Sequence, residues 1–280
     1  MLKHRIISFP LLLALAFLVV CWKEGGPWIF AALILPITLA AVLEIANIAR
    51  KLALPVNLPA AAAAALLVMA KCGTGKFLAE YTRFLPSALT VTVVLFCFLM
   101  LMLLFDSDRA RAVKRLFVTP GVTAAALLIL LPLSRIYFDS GAMVFLALVL
   151  CTKASDTGGY IAGMLSNKLM KNGNHKIVPS ISPKKSWEGT AGAALFSIGT
   201  ALIFAACGVI TLPTWGVCLF GFFAFLGSFG GDLTESQLKR AADIKDSAHW
   251  IPGMGGILDV IDSFIYNAPL FYLALTSGGI

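Results

Sequence analysis

Residues 236–263 read SQLKRAADIKDSAHWIPGMGGILDVIDS and lie between two oily runs, TLPTWGVCLFGFFAFLGSFGG at 211–231 and FIYNAPLFYLALTSGGI at 264–280. The stretch holds Lys239, Arg240, Asp243, Lys245, Asp246, Asp259 and Asp262, whereas the two runs carry no charged residue. Long apolar runs separated by short charged loops are the pattern of helices that cross a bilayer, each crossing needing about 20 mostly apolar residues. Asp259 and Asp262 stand where the last apolar run begins. A carboxylate is costly there, so the pair is a functional hypothesis from the outset.

The rest of the chain follows the same pattern. Of its 280 residues 59% are apolar and 13% charged, with a mean hydropathy of +0.91, against about 45–50% and 25% in a soluble domain. The expected fold is all-α and polytopic, with about nine transmembrane helices and a cytoplasmic N-terminus. Spans are expected near 6–22, 27–46, 56–71, 86–105, 119–137, 141–153, 189–210, 213–230 and 260–279. The first resembles a signal peptide, but Val19 and Val20 before Cys21 are too large for a small-residue cleavage site, so a retained span is expected. The alanines at 60–65 suit close helix packing. No fixed-period repeat supports an inverted-repeat transporter.

Charge orients this arrangement. Nine spans leave Lys23, Lys71, Lys76, Arg83 and Arg135 outside and the other 17 of 22 basic residues inside, as the positive-inside rule requires. That bias accounts for the net charge of +8, and no nucleic-acid partner is expected. The six cysteines form no CxxC pair and lie in or beside apolar runs, as small hydrophobes do. Of fourteen acids, eight fall within 153–263. Phosphate or metal chemistry is therefore expected in two cytoplasmic loops, 153–188 and 231–259. The chain divides into N-terminal membrane helices over 1–140 and a C-terminal catalytic membrane domain over 141–280.

In the second loop Asp232, Ser236, Lys239 and Asp243 are spaced four, three and four apart, so a helix would align them on one face. A solvated amphipathic helix would show the same spacing. Pro252, Gly253, Gly255 and Gly256 then break any helix and let backbone N–H groups approach a ligand. Carboxylates facing cations suit Mg2+, which takes one or two carboxylates and substrate phosphate oxygens. No Cys/His cluster has zinc spacing. Ser247, in the same loop, is expected to have no ligand role. The first loop combines Asp156, Gly158, Gly159 and Gly163 with five lysines, and SPKKSWEG at 182–189 adds the hydroxyls of Ser182 and Ser186. GxxxxGK[ST] is absent, so this is no Walker loop. His4, His175 and His249 are scattered and are not expected to act as ligands.

The run from Ser236 through Lys239, Arg240, Lys245, Asp246, Pro252, Gly253, Gly255, Gly256 and Asp259 to Asp262 closely resembles the C-terminal motif of phosphatidate cytidylyltransferases, also called CDP-diglyceride synthetases. The 182–189 motif, and Asp156 with its glycines, resemble two further motifs of that family. The resemblance covers 153–279. Met254 and Val260 stand where the family commonly has His and Arg.

The resemblance implies a nucleotidyltransferase of phospholipid biosynthesis, making CDP-diacylglycerol and pyrophosphate from CTP and phosphatidate. It implies Mg2+ on Asp232, Asp259 and Asp262, with room for a second, monovalent cation. Lys239, Arg240, Lys245 and Asp246 would serve catalysis, and Asp156, Ser182, Lys184, Lys185 and Ser236 would bind substrate. It also implies a homodimer, multi-pass in the cell's inner membrane, with membrane lipid as partner and the active site on the cytoplasmic side. The alternatives are a CTP-dependent lipid or polyprenol kinase and a membrane transporter.

Overall fold

A computed structural model describes residues 16–75, 77–83, 85, 87–105, 108–170, 173–177, 182, 185–250 and 255–277. Lys184, Pro252, Gly253 and Met254, and most of the expected first span, lie outside the described residues. Among the described residues nine α-helices follow a helical stretch at 16–21: α1 (Gly26–Lys51), α2 (Leu58–Val68), α3 (Ala88–Phe105), α4 (Arg109–Arg135), α5 (Ala142–Leu169), α6 (Trp187–Ala206), α7 (Thr214–Ala241), α8 (Ile257–Ile261) and α9 (Phe264–Thr276). Among the described residues there is no strand, only an isolated bridge between Lys176 and Ser186. The protein is an all-α, polytopic membrane protein. Among the described residues five helices are long and apolar enough to cross a bilayer, and α2, α3 and α9 are shorter apolar helices.

The helix ends follow the local sequence. Asn57 and Asp108 cap α2 and α4 by accepting the N–H groups of Ala60 and Arg111 at 3.3 and 3.0 Å. Arg50 and Lys51 close the last turn of α1, where a cation complements the helix dipole.

The chain forms two compact units. The first is 1–139 with 241–260. Within it Ala61, Ala64 and Ala65 are buried, and Thr123 of α4 donates to the Ala61 carbonyl at 3.3 Å. The alanine run thus brings α2 and α4 together as small residues allow. The second unit is 140–240 with 261–280, and its principal contact is α5 on α6. A Cβ on Gly192 would strike Ala162, and one on Gly158 would strike the Phe196 ring and the Gly192 carbonyl.

Two expected boundaries are corrected here. The expected short span at 141–153 and the first part of the loop are one helix, α5, which runs on to Leu169. Gly158, Gly159 and Gly163, expected in a ligand-facing loop, lie on α5; Gly158 and Gly159 each face α6 within Cβ contact. Close helix approach used the same residue type that a phosphate loop would. Likewise α7 continues past the membrane-like run to Ala241. Asp243 follows it with φ of 52°, so the helical face holds Asp232, Ser236 and Lys239 but not Asp243.

Candidate active site

The second unit gathers three carboxylates and two lysines. Lys153 and Asp156 sit three residues apart on α5, with Nζ 3.3 Å from Asp156 Oδ2. Ser228, one turn before Asp232 on α7, donates to Asp156 Oδ1 at 2.5 Å. Lys185, just before α6, pairs with Asp232 Oδ2 at 3.2 Å, donates to the Phe229 carbonyl at 3.3 Å, and stands 4.3 Å from the Phe229 ring centroid. These contacts fix the ammonium without exhausting its three donors.

Gly227 and Gly231 let α7 approach the start of α9. A Cβ at either would collide with Asn267 or with the Asp262 backbone. Asn267, fully buried on α9, secures the join by donating to Thr152 Oγ1 at 3.1 Å and to the Ala224 carbonyl at 2.8 Å. Ser263 then stands at the hub. Its hydroxyl lies 3.1 Å from Asp156, 3.4 Å from Asp232 and 3.0 Å from Asp262, and it accepts from Lys153 Nζ at 3.1 Å. One hydroxyl proton cannot satisfy three carboxylates at once. Asp262, in the turn ahead of α9, brings the carboxylates to three against the two lysines. The cluster is short of positive charge.

A cavity of about 460 Å³ opens beside this cluster. Asp156, Asp232, Ser182, Lys185, Lys168 and Lys176 line it. Its outer wall is shaped by the segment before α6. Ser186 is buried and caps α6 by accepting the Gly189 N–H at 3.2 Å. His175 meets Glu188 at 2.7 Å, and the Trp187 N–H donates to the His175 carbonyl at 2.9 Å. Ser186 and His175 thus hold the local structure, and among the described members of the 182–189 motif Ser182, Lys185, Ser186 and Gly189 line the cavity.

Other expected site residues are not among those that line this cavity. Lys239 pairs with Glu235 one turn back on α7, and Arg240 is exposed. Ser236 shares that helix. Lys245, Asp246 and Asp259 belong to the first unit, the first two exposed. There Asp259 accepts the Ser247 N–H at 3.1 Å, the Ser247 hydroxyl at 3.0 Å and the Gly256 N–H at 2.6 Å. Gly255 supplies the φ of 98° that the turn needs. Glu44, buried on α1, accepts from Ile257 and Leu258 N–H at 2.7 and 2.8 Å and, at 2.6 Å, shares the single Ser247 hydroxyl proton with Asp259. Ser247, for which no ligand role was expected, is a structural link between two acids.

Sequence reasoning missed Lys153, Ser228, Ser263 and Glu44. Glu44 carried a legible signal, an acid inside an apolar run. Ser263 had only its place beside Asp262.

Among the described residues no group of three or more His, Cys, Asp or Glu forms a metal cage. Mg2+ does not need one, since one or two carboxylates completed by phosphate oxygens and water suffice. Asp232 and Asp262, hard oxygen donors sharing the Ser263 hydroxyl, fit that requirement.

The model of the cytidylyltransferase family matches residues 3–277. The phosphatidate cytidylyltransferase of Mycobacterium bovis is 38% identical over 141 residues, 50% of this chain and 44% of the relative. That of Synechocystis is 38% identical over 139 residues, 48% and 44% of the two chains. That of Bacillus subtilis is 41% identical over 124 residues, 44% and 43%. Each match spans less than half the length of the relative.

Proposed function

The chain belongs to the cytidylyltransferase family, and from that premise we propose that it transfers a cytidylyl group from CTP to phosphatidate. The products are CDP-diacylglycerol and pyrophosphate. A phosphate monoester oxygen of the lipid forms a bond to the α-phosphorus of CTP. The bond from that phosphorus to the β-phosphate bridging oxygen breaks, and the electron pair leaves with pyrophosphate. The nucleophile is already ionised near neutral pH, so the site needs no strong base. It needs positioning and charge neutralisation.

One observation carries this reading: three carboxylates and two lysines, interlocked through Ser228 and Ser263, at the wall of a cavity that adds further lysines. Lys185, held over Phe229, would neutralise a phosphate entering the cavity. Lys153, Ser228 and Ser263 orient Asp156, and Asp156 would hold the nucleotide. Asp232 and Asp262 would hold Mg2+, which supplies charge against the triphosphate and the departing pyrophosphate. Ser182 would add a hydroxyl to one phosphate. Lys239, Arg240, Lys245, Asp246, Ser236, Lys184 and Asp259 enter through the family motif, as does a second, monovalent cation. The 17-residue inside bias supports an inner-membrane protein with this site on the cytoplasmic side. A homodimer belongs to the same reading.

The test is purified protein with labelled CTP and phosphatidate, with and without Mg2+. CDP-lipid and pyrophosphate, dependent on both lipid and Mg2+, are expected. Labelled CDP with a newly phosphorylated lipid would mean a kinase instead. No CTP turnover under any of these conditions would overturn the reading.

A further inference from the structure

The first unit contains a second charged cavity that the proposed reaction does not use. It measures about 500 Å³ and is lined by Arg50 at the end of α1 and by Arg111, Lys114 and Arg115 at the start of α4. Arg50, Arg111 and Lys114 are exposed. The acid in its wall, Asp108, accepts the Arg111 N–H at 3.0 Å as the α4 cap. Arg50, Arg111 and Lys114 thus bring three exposed cations to a wall whose acid among the described residues, Asp108, serves as a helix cap.

The wall continues through Leu54, Pro55 and Val56. The next residue, Asn57, opens an apolar cavity of about 310 Å³ between α2 and α3. Ala60, Ala63 and Leu67 line one side, Val94 and Phe98 the other. From Asn57 to Leu67 the groove follows about 15 Å of helix, at 1.5 Å per residue. The positive-inside rule accounts for cations at this end of the spans. It does not account for their convergence on a concavity whose wall ends, at Val56, one residue before an apolar groove begins at Asn57.

We propose that this composite site binds an anionic glycerophospholipid from the surrounding bilayer. The headgroup phosphate lies among Arg50, Arg111, Lys114 and Arg115, and an acyl chain occupies the α2–α3 groove. Guanidinium groups suit phosphate oxygens geometrically, and basic pockets between membrane helices bind anionic headgroups. None of its lining residues belongs to the carboxylate cluster, so its occupancy is measured without reference to CTP turnover.

The experiment titrates the full-length protein, in neutral detergent, with phosphatidylglycerol and with phosphatidylcholine, and counts bound lipid by native mass spectrometry. Phosphatidylglycerol should bind more tightly, and added salt should narrow the gap. The triple variant Arg50→Gln, Arg111→Gln, Lys114→Gln should lose at least about tenfold in phosphatidylglycerol affinity, as expected for three cations near a headgroup. Ala63→Trp fills the groove without touching charge and should also weaken binding. Thermal melting and gel filtration check that each variant folds. If the triple variant does not, Lys114→Gln and Ala63→Trp decide. Equal binding of both lipids, or no loss in these variants, overturns the proposal. So does inorganic phosphate competing as well as the lipid, which would mean a bare anion site. Cross-linking of two copies through Ala63→Cys would overturn it too, giving the groove to a second protein chain.

Discussion

Asp232 and Asp259 carry the same functional group into different surroundings. Asp232 faces Lys185 at the cavity wall, whereas Asp259 accepts three donors from Ser247 and Gly256. Asp232→Asn should therefore lower CTP turnover by about a hundredfold or more, the scale of losing one electrostatic stabiliser, with little change in melting temperature. Asp259→Asn removes the negative charge on which these three donors converge, so turnover and melting temperature should fall together. Kinetics and thermal melting in one detergent separate the two cases. If Asp232→Asn melts as early as Asp259→Asn, Asp232 is structural. Glu44 makes a further prediction. Glu44→Gln leaves at least one of the Ile257, Leu258 and Ser247 donors without an acceptor. An unsatisfied buried donor costs about 1–3 kcal/mol, which thermal or denaturant unfolding would register. An unchanged melting temperature would show that this link contributes nothing.

At the scale of the element, glycine decides how close the helices come. Gly158 and Gly192 have no room for a Cβ, whereas Gly199 on the same α6 has open space around it. Gly192→Val should destabilise the second unit by about 1–3 kcal/mol, as overpacking does, while Gly199→Ala should melt as the wild type does. Similar melting temperatures for both would contradict the glycine-mediated α5–α6 contact. The same glycines mark the limit of what the sequence disclosed. Apolar runs located most helices, because length and hydropathy suffice for that. Asp156 with Gly158, Gly159 and Gly163 was misplaced in a loop because glycine serves both phosphate loops and helix contacts. Asp232 and Lys185 were legible as site residues from motif and charge. Their partners Ser228 and Ser263 were not, since a serine in or beside an apolar helix carries no signal until folding places it beside an acid.

For the whole molecule, the charge bias predicts that 153–188 and 231–259 face one compartment. Single cysteines at Ser180 and Ala248, in a background lacking the six native cysteines, should react with a membrane-impermeant reagent from the cytoplasmic side only. Labelling from opposite sides would separate the lysines of one segment from the motif of the other. The central claim is that the Lys153–Asp156–Lys185–Asp232–Asp262 cluster transfers a cytidylyl group. Its most direct test is release of pyrophosphate from CTP by purified wild type and by Asp232→Asn, with phosphatidate present or absent. The account predicts Mg2+-dependent release by the wild type only with phosphatidate, reduced about a hundredfold or more in the variant. Undiminished release by folded Asp232→Asn, or release without the lipid, would contradict it.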